Sequence, residues 1–555
     1  MSVTSSADPQ RQPASQSAAR RVDVIIVGGG FGGMYAVHKF ARMGLSIQAF
    51  EAGSDVGGVW YWNRYPGARV DLMSIDYSYS FSQELDDEWE WSEQFAAQPE
   101  LLRYIDFVAK KFDLRRHFQF NTRVQSADWD EARQLWSVRT DRGEVYEAPF
   151  CIMATGPLSI PKDPGIKGFE RFKGRVLHAA RWPHEPVDLA GKRVGVIGTG
   201  STGIQIVQEV GRQAGETFVF QRTPSFSLPM RNVSLTPEYM EQVRPHLAAM
   251  REVGRNGFTG GIRPLSTRAY FSYTAEQRKA LLEDAWKQGG FSVLATFGDL
   301  LVNPKANEEV ADFVRGKISE TVNDPVTAEK LKPKGYPIFA RRICLDTGYY
   351  ETYNLPNVHL VDCLTTPIVE LTEKGVRTTE QEIELDILIL ATGYDGLTGA
   401  LLAFPVTGRN GLTIQEKWKA GPRSHLGLMI EGFPNLFMTT GPNGPSAFAN
   451  IVRMSENDID WAADAITYLD KNGLGSIEPK KQAEDEWMEQ VHMFAERSLV
   501  SKAKTWYVGA NVEGKPQGLT IFVGGYAKYR EQCAAAAAND YHAFQLEPAH
   551  SAVEA

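Results

Sequence analysis

Two copies of one phosphate-binding signature, Gly28, Gly30, Gly33 and Gly198, Gly200, Gly203, constrain this 555-residue chain more than any other feature. The apolar run Val22 to Val27 precedes the first, and Met34, Val37, Phe40 and Ala41 follow it at helical spacing. Arg193 to Ile197 leads into the second, with Ile204, Val207 and Gly211 on one helical face beyond it. Strand, tight turn and helix in that order is the grammar of a dinucleotide-binding βαβ unit. A glycine at the second position of each loop lets backbone amides at the helix N-terminus approach a pyrophosphate, whose charge the helix dipole favours. The expected fold is α/β, with two Rossmann-like dinucleotide-binding domains.

The residues that end the next strands differ in sign. Glu51 follows Ile47 to Phe50, where it is placed to accept hydrogen bonds from a ribose and to repel an extra phosphate, so the first site suits FAD or NAD. Arg222 and Thr223 follow Phe218 to Gln221, and a cation beside a hydroxyl there suits a 2′-phosphate, hence NADPH. A solvated surface arginine is the alternative for Arg222. Around the second loop, Ser201 and Thr202 join the candidate phosphate contacts.

A chain of this length exceeds one hydrophobic core, so about three units are expected. A net charge of −9 without a basic stretch argues against nucleic-acid partners, and no apolar run reaches the roughly 18 residues of a membrane span. Cys151, Cys344, Cys363 and Cys533 form no close pair, which removes a CxxC zinc site and a CxxxxC redox disulfide; no metal is expected, and a reducing cytoplasm is the simplest setting.

Residues 1–20 and 541–555 read as loose tails. Between 227 and 337 the strand grammar gives way to a helical insertion, opened in part by a capping box at Thr274 and Gln277. Ala391, Thr392 and Gly393 repeat Ala154, Thr155 and Gly156, each after a strand-like run. These repeats mark two crossings between domains: residues 21–158 begin the FAD domain, 159–384 form the NADPH domain with its insertion, and 385–540 return to the FAD domain, with a mobile loop near 500–516.

Between the two glycine loops lie Phe172, Gly174, His178, Trp182 and Pro183, spaced FxGxxxHxxxWP. This stretch resembles the fingerprint of the type I Baeyer-Villiger monooxygenases, of the phenylacetone, cyclohexanone and steroid monooxygenase kind. The likeness runs from Asp23 to about Tyr529. It implies NADPH- and dioxygen-dependent conversion of ketones to esters or lactones through a flavin peroxide on bound FAD.

Residue by residue, the resemblance implies that His178 couples domain arrangement to the nicotinamide cofactor. The segment Gly58, Trp60 to Asp71 is similar to one that lines the flavin, with Asp71 an active-site aspartate. Arg342 takes the place of the active-site arginine. Arg341 stands where the family commonly has lysine, at a candidate 2′-phosphate contact. Trp506, with Tyr507, Gly509, Asn511, Gly514 and Lys515, resembles the mobile loop, and Ser446, Ala447 and Phe448 a substrate-facing loop. A nitrogen- or sulfur-hydroxylating flavin monooxygenase is the rival reading, argued against by the WP ending, with sulfoxidation expected as a side reaction. A non-catalytic FAD-binding redox sensor is a remoter one. The native ketone and the oligomeric state stay open.

Overall fold

The computed structural model describes residues 19–550. Two five-stranded parallel sheets organise it. The first has the spatial order Leu436–Met438, Phe150–Met153, Val24–Val27, Ile47–Phe50 and Phe118–Gln119. The second runs Val358–Asp362, Glu216–Gln221, Arg193–Ile197, Ile387–Leu390 and Arg175–His178. Val24 to Ile26 are fully buried, as are Val194 and Val196, because a parallel sheet covered by helices is apolar on both faces.

Leu436–Met438 pairs with Phe150–Met153, so the C-terminal part of the chain does return to the first sheet and the second domain interrupts the first. The boundary lies later than 384, however. Ile387–Leu390 sits between Arg193–Ile197 and Arg175–His178, well inside the second sheet, and the chain leaves that sheet only at Ala391. The apolar strand was legible, but its sheet was decided by pairing.

The two glycine loops are built alike. Gly28 has φ +115°, and a Cβ there would lie 2.3 Å from the carbonyl oxygen of Ala154; Gly198 has φ +111°, with the same distance to Ala391. A Cβ on Gly33 would lie 1.8 Å from the Gly28 oxygen, and one on Gly203 1.9 Å from that of Gly198. Each repeated Ala-Thr-Gly segment therefore packs its alanine against its own glycine loop. The crossings that follow run beside each other: Asp395 N donates to Ile160 O at 2.9 Å, Leu397 N to Pro157 O at 2.8 Å, and Lys162 N to Gly393 O at 3.0 Å.

The insertion is helical as expected, with its longest helix at Pro304–Thr321. Its N-terminal end is pinned where Ser227–Pro229 pairs with Cys344–Asp346, which carries the residues after Arg342 into register. The tails differ from expectation. Arg20–Arg21 pairs with Tyr146–Glu147, and Phe544–Pro548 forms a strand antiparallel to Leu474–Pro479. Phe544 is buried among Trp461 and Tyr541, which anchors a segment whose composition alone looked loose. Residues 1–18 and 551–555 of those tails lie outside the described residues. Among the described residues no helix is long and apolar enough to cross a membrane.

Candidate active site

The fingerprint stretch builds the edge of the second sheet. Phe172 supplies a wedge: a Cβ on Gly174 would lie 2.4 Å from its ring and 2.7 Å from Asp386 O, so the FxG spacing is a close-packing requirement. Arg175–His178 pairs with Ile387–Leu390, with His178 opposite Leu390. Trp182 is buried in the second domain's core, and Pro183 follows it. The motif thus spans the edge strand of the second sheet and the buried turn after it. Pairing in a sheet explains what spacing alone could not.

His178 Nδ1 accepts the Ala180 amide at 3.1 Å. Its Nε2 is buried without a hydrogen bond, although the Lys162 carbonyl lies beside it. Burial, then the charge of Arg181, holds the ring pKa below its ordinary value, so His178 is a neutral group facing the first crossing.

Both helix N-termini are open cradles. Gly30 and Gly200 cap helices Phe31–Arg42 and Ser201–Gln213, and neither end has a side-chain acceptor, which leaves first-turn N–H groups available to an anion. Gly30 faces Gly58, whose φ is +54° and whose added Cβ would lie 2.8 Å from Gly30 Cα; around Gly200 a Cβ would meet nothing within 4 Å. The first loop is closed to a side chain at Gly58, whereas open space lies in front of Gly200. These residues fit a dinucleotide pyrophosphate at each loop.

Glu51 is buried and accepts from Gly29 N at 2.7 Å and Gly53 N at 2.6 Å. Desolvation raises its pKa against the pull of those amides. It therefore shapes the loop in addition to any contact it makes with a ribose. Trp60 donates from its indole to Tyr77 Oη at 3.2 Å, behind Gly58.

In the second domain, Thr199 Oγ1 donates to Thr223 O at 3.1 Å and fixes the turn that bears exposed Arg222. Neither Arg222 nor Lys162 has a carboxylate partner among the described residues. The Lys162 pKa is lowered by burial and then by the charge of Arg222, so two cations share one region. Lys162 was missed at the sequence level because only the crossing brings it there. Thr202 lies 3.5 Å from Tyr65 Oη, and Ser201 Oγ 3.3 Å from Cys344 Sγ, which ties the second glycine loop to both segments around it.

Asp71 and Arg342 meet as a bidentate pair: Nε to Oδ2 at 3.0 Å and Nη2 to Oδ1 at 2.6 Å. Arg342 Nη1 donates to Ala447 O at 2.7 Å, and its guanidinium carbon sits 5.6 Å from the Phe291 ring centre. Burial opposes its charge, but Asp71, with Tyr507, more than compensates, and its pKa is raised. The cation is permanent. It faces a largely apolar cavity walled by Phe291, Leu294, Phe339, Ile262 and Phe448, with Tyr507 against it.

Some candidates sit elsewhere. Ala447 and Phe448 line the cavity, but Ser446 does not: it is fully buried, with φ +43° and its amide 3.2 Å from Met454 Sδ. Trp506 packs on Gly396 and on Tyr507, at 4.5 Å between ring centres, and it is Tyr507 that reaches the cavity. Arg341 stacks at 4.1 Å over the Tyr336 ring and donates to Lys504 O at 3.2 Å, at the cavity rim. Among the described residues no cluster of histidine, cysteine and carboxylates could hold a metal.

Residues 19–239 match the family model described as flavin-binding monooxygenase-like. The chain is 39% identical over 528 residues to a Baeyer-Villiger monooxygenase of Pseudooceanicola batsensis, covering 94% of this chain and 95% of that one. The chain belongs to the Baeyer-Villiger monooxygenase family. Cyclohexanone 1,2-monooxygenase of an Acinetobacter species, a relative within this likeness, is 42% identical over 95% of this chain and 96% of its own length. A solved steroid monooxygenase bound to NADP superposes with a TM-score of 0.92 at 47% identity, over 95% of this chain and 99% of that one. Family membership thus spans both glycine loops and the Arg342 cavity together.

Proposed function

We propose that this enzyme oxidises small ketones to esters or lactones, using FAD, NADPH and dioxygen. The observation that carries the reading is the Asp71–Arg342 pair at the wall of an apolar cavity in a chain with two pyrophosphate cradles. Gly28, Gly30, Gly33 and Gly58 would hold FAD, and Gly198, Gly200, Gly203, Arg222 and Lys162 would hold NADPH. When bound, these two groups would supply the reducing equivalents and activate dioxygen, the source of the inserted oxygen atom.

The protein's part is electrostatic. Addition of an oxygen nucleophile to a ketone moves negative charge onto the carbonyl oxygen, and a fixed cation in a dry pocket stabilises that charge. Arg342 has five N–H donors, and its four hydrogen bonds to Asp71 and Ala447 leave at least one for the reacting atoms. Asp71 sets the plane of the guanidinium, and Ala447 O fixes its roll. The aromatic wall excludes water, which keeps the local dielectric low and the field of Arg342 strong.

Among the described residues no histidine, cysteine, serine or lysine lines the cavity, and both carboxylates that do are engaged, Asp71 by Arg342 and Asp76 by Ile262 N and Asn450 Nδ2. Four unpaired thiols suit a reducing compartment such as the cytoplasm. The reading is tested with purified protein and a panel of linear, cyclic, aryl and steroid ketones. Ketone-dependent NADPH consumption with one ester per NADPH supports it, and NADPH consumption without ester from any ketone overturns it.

A further inference from the structure

The segment that bears Tyr507 is held from outside itself. Gly509 and Gly514, at φ +71° and +77°, bend the chain so that Lys515 turns back toward the second crossing. The Lys515 ammonium donates to an Asp395 carboxylate oxygen and to Gly396 O, the latter at 3.2 Å, and its side chain is only 9% exposed. An ammonium so far removed from water requires a partner, and Asp395 is its one carboxylate among the described residues.

Two more contacts join the same surfaces. Asn511 Nδ2 donates to Tyr394 O at 2.7 Å, and Trp506 covers Gly396 so closely that a Cβ there would lie 2.8 Å from its indole. Asp395 is itself fixed, because its amide bonds to Ile160 O in the first crossing. Tyr394 Oη reaches Asn63 in the aromatic segment of the first domain. The loop therefore docks where the two crossings run beside each other and where Tyr394 reaches the first domain.

We propose that Asp395 and Lys515 are a positioning pair that seats Tyr507 in the ketone cavity, so that cavity closure is fastened to the inter-domain crossing. The loop's own backbone bonds are local, from Val508 N and Ala510 N to Thr505 O, Gly518 N to Val508 O and Thr520 N to Tyr507 O, and Tyr507 itself is buried against Phe448. Residues 509–516 reach the second crossing through Asn511 and Lys515, and a segment tied at few points opens locally before the domain does. Loss of the pair releases the loop. A loop that stayed docked would strand the Lys515 ammonium against a neutral amide in Asp395→Asn, or the Asp395 carboxylate against a thioether in Lys515→Met. The consequence for ketone turnover rests on the function proposed above; the consequence for loop opening does not.

The test uses the FAD-loaded enzyme with Lys515→Met, which keeps the aliphatic length, with Asp395→Asn, and with the reversed pair Asp395→Lys/Lys515→Asp. Backbone hydrogen exchange at 505–516 is measured without ketone. Exchange there is expected to rise about tenfold in each single variant and to fall back in the reversed pair, with flavin absorbance and melting temperature kept. With ketone present, KM and hydrogen peroxide released per NADPH are expected to rise more than kcat falls. Unchanged exchange in both single variants overturns the proposal. So does a loss of melting temperature equal across the chain that the reversed pair does not restore. Raised exchange with no ester from any enzyme form would instead sustain the pair and refute the ketone reaction.

Discussion

Arg342 and Asp71, separated by 271 positions in sequence, share two parallel charge-assisted hydrogen bonds at 3.0 and 2.6 Å. The pair joins the aromatic segment of the first domain to the chain that leaves the helical insertion. A planar guanidinium held by a carboxylate on one edge and by Ala447 O on another has little freedom to rotate. What it presents to the cavity is a charge of fixed direction.

Asp71→Asn should keep the guanidinium charged but weaken its orientation. Ester formation is expected to fall about 10- to 100-fold, less than on removing a donor outright, with KM for ketone changing little. Steady-state product analysis checks this. Unaltered kcat would show that Asp71 does not position Arg342.

At the second cradle, Arg222→Ala should weaken NADPH about 10- to 100-fold, the loss of one charge-assisted bond, while NADH is little affected. Lys162→Met should act in the same direction. Titration with 2′-phosphorylated and plain adenosine nucleotides separates the two terms. Equal losses for both nucleotides would remove Arg222 and Lys162 from 2′-phosphate recognition.

Gly58→Ala places a Cβ 2.8 Å from Gly30 Cα at φ +54°, inside the first pyrophosphate cradle. The purified variant should carry little or no FAD, seen as lost flavin absorbance. Gly316→Ala, in a helix with nothing within 4 Å of the new Cβ, is the contrasting change and should add about 0.5–1 kcal/mol of stability with flavin retained.

Asp458 gives a pH signature. Burial pushes its carboxyl pKa up to about 7, although Thr440 N and Tyr529 Oη donate to it. A folded state that holds this proton above the unfolded value of 3.8 loses stability as pH rises from about 4 to 7, since the native protein binds more protons there. Asp458→Asn should flatten that slope, so its melting temperature relative to wild type should rise between pH 5 and pH 8. A difference independent of pH would contradict this.

Much of the fold is written in local signals. Glycine at 28 and 198 is demanded by positive φ and by carbonyl oxygens that an added Cβ would meet at 2.3 Å, so the two loops announce themselves in sequence. Arg342, Asp71 and the FxGxxxHxxxWP motif were legible through resemblance. What stayed hidden depends on tertiary pairing. Ile387–Leu390 reads as a buried strand in either domain, and only its pairing assigns it to the second. Phe544–Pro548 has no strong alternation and is fixed by its partner strand and by Trp461. Lys162 carries no motif of its own and is brought beside Arg222 by the first crossing, and within the loop motif only packing decides that Tyr507 and not Trp506 lines the cavity.

The most direct measurement is product analysis of Arg342→Ala under single-turnover and steady-state conditions. The account predicts that this variant keeps FAD and oxidises NADPH, while ester per NADPH falls by at least about 100-fold and hydrogen peroxide replaces it. Ester yield equal to that of the unaltered enzyme would contradict the central role given to the Asp71–Arg342 pair.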